Sequence, residues 1–76
     1  MMKYIIMWHD CEDGIRNKIL DIDADNATKA FFDAATQIRK RSSHLEKSFM
    51  FSDIEYVIEE ETQTIYPYRS FFEEEF

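Results

Sequence analysis

DNATKAFFDAATQIRKR, residues 25–41, is the only stretch whose apolar side chains recur at helical spacing over several turns. Ala27, Ala30, Phe31, Ala34 and Ile38 fall at i, i+3, i+4, i+7 and i+11, along one stripe of an α-helix. The small alanines let that stripe approach a sheet closely, and Phe31 and Ile38 are its large anchors. Asp25 or Asn26 supplies a short side-chain oxygen to cap the first turn, where backbone N–H groups lack partners. Arg39, Lys40 and Arg41 place positive charge at the other end, where it complements the helix dipole. A single amphipathic helix cannot bury its own stripe, so the flanking sequence must provide a sheet.

The flanks read that way. Lys3 to His9 alternates, with Tyr4, Ile6 and Trp8 on one face and Lys3, Ile5, Met7 and His9 on the other, in residue types favoured in strands. Asp10 to Gly14 forms a turn in which Asp13-Gly14 tolerates positive φ. Ile15 to Asp23 returns as a second strand, with Leu20 and Ile22 on one face and Ile19 on the other, and runs through Ala24-Asp25 into the helix. After Arg41 the segment Ser42-Ser43-His44 breaks the periodicity, although Leu45, seven residues after Ile38, extends the apolar stripe. Phe49-Met50-Phe51 leads back to the core, and Ile54, Tyr56 and Ile58 alternate with Glu55 and Glu59 as a half-buried third strand. Glu60 to Gln63 resembles a hairpin connection. Thr64, Ile65 and Tyr66 form a fourth strand up to Pro67, whose missing N–H restricts it to an edge or a strand end. The expected fold is α+β: a single domain over residues 1–76, with a small, mostly antiparallel sheet in the order β-β-α-β-β and one helix packed on one face. Residues 67–76 form a tail or a short terminal helix.

Seventy-six residues make one small domain, close to the size at which a single core is only marginally sufficient. Apolar residues at 45% and aromatics at 16% argue for a folded chain, since disordered segments lack large apolar side chains. A lone Cys11 rules out an internal disulfide framework, and Tyr4 to Trp8 is too short for a secretory signal, so the expected location is the cytoplasm. No apolar run approaches the roughly 18 residues of a membrane span. Sixteen acids against nine bases give a net charge of −7, which disfavours direct nucleic-acid binding and favours a basic partner. The imbalance is uneven: residues 49–76 hold Asp53, Glu55, Glu59, Glu60, Glu61, Glu73, Glu74 and Glu75 against Arg69 alone. Residues 39–48 run the other way, with Arg39, Lys40, Arg41 and Lys47 opposed by Glu46, so the molecule is expected to be polarised.

Three constellations bear on chemistry. His9-Asp10-Cys11-Glu12-Asp13 gathers metal-ligand types and a thiol in one turn, but its spacing matches no ligand pattern and only His44 remains as a further imidazole. A polar hairpin turn accounts for it, and a metal- or thiol-dependent enzyme centred on His9 and Cys11 is the alternative. Asp21, Asp23 and Asp25 imitate the start of a calcium loop, but Asn26 stands where the turn glycine belongs and Phe32 where the bidentate glutamate belongs. Their period of two fits the solvent face of the second strand, with Asp25 as a helix cap. Arg39-Lys40-Arg41 with Lys47 reads as a surface complement to the helix dipole. With Gly14 the only glycine, no phosphate loop exists, and no nucleophilic series or paired inward carboxylates follow from spacing. No catalytic residue, metal or cofactor is expected, and the chain reads as a non-enzyme.

The C-terminal third interleaves Glu59, Glu60 and Glu61, then Tyr68, Phe71 and Phe72, then Glu73, Glu74 and Glu75. Aromatics are favoured interface anchors, and carboxylates around them steer encounter with a basic surface. These nine residues are the candidate partner-binding set, although the aromatics can equally finish the core. Self-association is a further alternative, because a strand cut short by Pro67 leaves an edge and an apolar tail that a second copy could cover.

Small size, strong acidity, one helix on a small sheet and the absence of a catalytic signature together resemble the small phage-encoded inhibitors of host defence, anti-CRISPR proteins among them. The resemblance is one of class, spans the whole chain and carries no motif, so no residue role transfers from it. It implies a viral protein, acting in the host cytoplasm, that presents carboxylates where phosphates would lie. Such a protein would block nucleic-acid binding by a larger basic partner.

Overall fold

Two strands pair first. In the computed structural model, which describes residues 1–10 and 17–72, β1 (Met2–His9) and β2 (Asn17–Ala24) run antiparallel, from Met2 opposite Ala24 to His9 opposite Asn17. The Asp13-Gly14 turn and the expected start of the second strand at Ile15 lie outside the described residues. β2 leads into α1 (Ala27–Arg39), a shorter helix than the span 25–41 suggested. Asn26 is its cap: extended backbone lets its side-chain oxygen accept from the Lys29 N–H at 2.8 Å. Asp25 instead reaches Lys29 Nζ at 3.5 Å, so it is not the capping residue.

The chain then forms a second, six-residue helix, α2 (Ser43–Ser48), where periodicity suggested only a break. Ser42 caps it, its Oγ accepting from the Leu45 N–H at 3.3 Å, and Leu45 is buried. Leu45 therefore reaches the core from a separate helix and does not continue the α1 stripe. A 3-10 turn over Phe51–Asp53 precedes β3 (Ile54–Glu59), which pairs antiparallel with β4 (Thr64–Pro67) through a turn at residues 60–63. Pro67 ends an edge strand, as its missing donor requires. Residues Tyr68–Phe71 form a final 3-10 turn.

The sheet order is β2-β1-β3-β4, with every neighbouring pair antiparallel. β2 and β3, both antiparallel to β1, are therefore parallel to each other, and α1 carries the chain across β1 between them. The fold is α+β, with a four-stranded antiparallel sheet and one main helix on it. Its extents are 33 × 33 × 20 Å, and the shortest matches one helix layer on one sheet layer.

The core lies between those layers. Tyr4, Ile6 and Trp8 of β1, Ile22 and Ala24 of β2, and Ile54 and Val57 of β3 face Ala30, Phe31, Ala34, Ala35 and Ile38 of α1. Ala35 joins the expected stripe, while Ala27 is only half-buried at its start. On β3 the expected inward set of Ile54, Tyr56 and Ile58 is corrected. A bulge lies opposite the Met7–Trp8 step, where Ile54 faces Trp8 and Tyr56 faces Met7. Glu55 is the extra residue, so alternation slips by one. Val57 then turns inward, and Tyr56 and Ile58 turn out.

Candidate functional site

The register collects charge at the two ends of the sheet. Lys3 lies opposite Asp23, Ile5 opposite Asp21 and Tyr4 opposite Glu59, while the Glu60 N–H donates to the Lys3 carbonyl at 3.1 Å. The end of β2 and the β3–β4 turn thereby share one end of the sheet, on either side of β1, with Asp21, Asp23, Asp25, Glu60 and Glu61 all exposed. Lys3 lies between Asp23 and Glu60 in the register, and Lys29 Nζ lies 3.5 Å from Asp25 Oδ2. Burial, then the carboxylates of Glu59 and Asp25 and the phenol of Tyr66, raise the Tyr4 pKa above its ordinary value.

The opposite end gathers three bases on aromatic rings. Lys18 Nζ lies 5.9 Å and Arg41 Cζ 5.6 Å from the Trp8 ring centre, and Arg39 Cζ lies 4.9 Å from that of Phe51 and 5.4 Å from that of Phe49. Arg39 and Arg41 thus rest on aromatic faces as well as complementing the helix dipole. Asp10, Asp53 and Glu55 lie at this same end, so its charge is mixed.

The candidate partner-binding residues separate in space. Glu60 and Glu61 are exposed on the turn, but Glu59 is 8% exposed and its Oε2 accepts from Thr62 Oγ1 at 2.9 Å, bracing that turn. Gln63 completes it at φ 61°, in the left-handed region that costs a non-glycine residue on the order of 1 kcal/mol. Tyr68, Phe71 and Phe72 are half-buried against α1. The Phe31 ring stacks on Phe71 at 4.6 Å and meets Phe72 at 5.5 Å and Tyr68 at 6.3 Å. Phe32 and Phe51 complete this aromatic group. Glu73, Glu74 and Glu75 lie outside the described residues.

Among the described residues no helix covers the other sheet face. Two apolar rows cross it: Ile19, Met7, Tyr56 and Pro67, then Ile5, Ile58 and Ile65 beside Asp21. Ile19 is 65%, Ile65 58% and Tyr56 40% exposed. Lys3, Asp23 and Glu60 bound this band on one side, His9 and Asn17 on the other. Sequence patterning had shown Ile5, Met7 and Ile19 on this face, but the bulge that brings Tyr56 and Ile58 to it left no sequence signal.

Two histidines are fixed by carboxylates. His9 Nδ1 lies 3.0 Å from Glu55 Oε2 and its Nε2 3.2 Å from Asp53 Oδ1, so both ring nitrogens are engaged. The remaining members of the expected thiol or metal turn, Cys11, Glu12 and Asp13, lie outside the described residues. Among the described residues no group of three or more ligand-type side chains could hold a metal ion. His44 Nε2 lies 2.8 Å from Oδ2 of the buried Asp10, and His44 Nδ1 lies 2.9 Å from Ser42 Oγ. With its proton on Nε2, His44 donates to Asp10 and accepts the Ser42 hydroxyl. That chain has the hydroxyl–imidazole–carboxylate order used by nucleophilic enzymes. Here Ser42 Oγ also caps α2, which suits a clasp joining α2 to the end of β1. Sequence reading missed it because Asp10 and His44 are 34 residues apart; the signal within reach was the Ser42-Ser43 pair ahead of Leu45-Glu46, a helix start.

No helix among the described residues is long and apolar enough to cross a membrane. Compared with protein-family models, curated proteins and solved structures, the chain matches none.

Proposed function

We propose that this chain is a non-enzymatic binding protein whose acidic end docks on a basic surface of a larger protein and blocks that protein's nucleic-acid binding. Its mode of action would be that of the phage-encoded inhibitors of host defence, anti-CRISPR proteins included, in the cytoplasm of the host. The observation that carries this reading is the register, which sets exposed Asp21 and Asp23 of β2 and exposed Glu60 and Glu61 of the β3–β4 turn at one end of the sheet, on either side of β1. Carboxylates held on paired strands and a braced turn present fixed negative charge, and such fields accelerate encounter with a positive surface. Glu59 supports the turn from within, and Tyr68, Phe71 and Phe72 anchor the chain end to α1. Neither set is needed as a contact.

The test is affinity capture from host lysate at low and moderate salt, comparing the native chain with the variant D21N/D23N/E60Q/E61Q. The native chain should retain a nucleic-acid-binding protein and displace nucleic acid from it, and the variant should lose both effects. Capture of no such protein, or equal capture by the variant, overturns the proposal.

A further inference from the structure

We propose that His9 is a proton-operated latch that pins the bulge of β3 to the end of β1. The ring stands between two carboxylates, with Nδ1 3.0 Å from Glu55 Oε2 and Nε2 3.2 Å from Asp53 Oδ1. A neutral imidazole carries one N–H and one lone pair, so it donates to only one of these acids. Its lone pair then faces an ionised oxygen that can only accept, and the two repel. The imidazolium donates to both, through charge-assisted bonds. Both contacts together therefore need the proton. All three side chains are half-buried, where water and salt screen such bonds less than at an open surface.

What the ring holds is the place where β3 changes face. Glu55 is the extra residue of the bulge, between Ile54 opposite Trp8 and Tyr56 opposite Met7. Asp53 closes the 3-10 turn before it, where its other oxygen, Oδ2, accepts from the Met50 N–H at 3.0 Å. One ring thus joins the turn, the bulge and the last residue of β1. The bulge sends Val57 inward and Tyr56 and Ile58 onto the open face, so the proton on His9 bears on one corner of that face. Among the described residues no other charge pairs with the ring, and no other base lies within ion-pair distance of Asp53 or Glu55. β2 presents the uncharged Asn17 opposite His9, and Asp10, next along β1, meets His44. Lys18 and Arg41 lie against the Trp8 ring, and Arg39 against Phe49 and Phe51. Histidine is the side chain whose ordinary charge change falls between about pH 5 and pH 8. Loss of the proton removes one donor, so the latch is whole on the acid side of that range and weakened on the alkaline side.

Ring-nitrogen chemical shifts and backbone amide protection of the full chain, followed from about pH 5.5 to about pH 8, test this. At the acid end both His9 nitrogens should carry protons. As pH rises one proton should leave, and protection at residues 54–57 should fall severalfold relative to residues 4–6 of β1, after correction for the intrinsic rise of exchange with pH. His9→Gln keeps one donor at a half-buried position and should remain folded, with the bulge weakly protected at every pH. Glu55→Gln removes one of the two charges and should flatten the response. His44→Gln, whose native ring faces Asp10, should leave the response at residues 54–57 intact. A His9 ring that is neutral at about pH 5.5, bulge protection that ignores pH in the native chain, or a response that His9→Gln retains or His44→Gln abolishes each overturns the proposal.

Discussion

Phe31 has no exposed surface and touches the rings of Phe32, Phe51, Tyr68, Phe71 and Phe72, so Phe31→Ala removes the centre of an aromatic group as well as a helix anchor. The expected loss is about 3 to 5 kcal/mol in urea unfolding, enough to unfold a domain this small. Tyr4 makes a different prediction. It is buried beside Glu59 and Asp25, and its pKa lies above the ordinary 10.0. In the unfolded chain the phenol ionises near 10, while in the fold it ionises only at higher pH. The unfolded state therefore releases its proton first, and stability falls as pH rises past 10. Tyr4→Phe removes the titrating phenol and should make that alkaline loss shallower, while giving up a long hydrogen bond of 3.8 Å to Met2 Sδ; urea midpoints at pH 8 and pH 11 measure it. Phe31 was legible as an anchor because a 3.6-residue period marks one helix face whatever packs on it. The burial of Glu59 was not, since a glutamate in an acidic run reads as solvated until Thr62 is seen to reach it.

At the scale of elements, caps and clasps decide what periodicity leaves open. α1 was legible from its stripe, and its start narrowed to Asn26 only through the hydrogen bond to Lys29. α2 spans six residues, too few for a period, and is held by Ser42, Leu45 and the His44–Asp10 bond. Ser42→Ala should cost about 1 to 2 kcal/mol as a lost cap. His44→Ala should cost as much or more, because it takes a hydrogen-bond partner from a buried carboxylate. Amide exchange within residues 43–48 should accelerate in both variants more than exchange within β1. The strands were legible in number and chain order, and the two hairpins in pairing, for alternation and turn residues mark them locally; the pairing of β1 with β3 was not. The inward face of β3 was not legible, because a bulge depends on the neighbouring strand and one extra residue reverses every side chain beyond it.

For the molecule as a whole, charge and stability should separate. E60Q/E61Q alters exposed turn positions and should leave the thermal midpoint unchanged or slightly raised by relief of repulsion. A chain ending at Tyr68 loses Phe71 and Phe72 from the Phe31 group and should be destabilised by on the order of 3 kcal/mol in urea. The uneven spread of charge was legible along the chain, but the placing of β2 acids and β3–β4 acids at one end of the sheet required the register. The strand order has one more consequence, and it concerns synthesis. β1 leaves the ribosome before its neighbours and is central in the sheet, yet its second neighbour begins at Ile54. At about 5 to 20 residues per second, several seconds pass during which Tyr4, Ile6 and Trp8 have emerged with β2 as their only strand partner. The nascent chain therefore spends that interval with a hydrophobic strand edge open, and α1, made in the same interval, is the element that can shield it until β3 arrives.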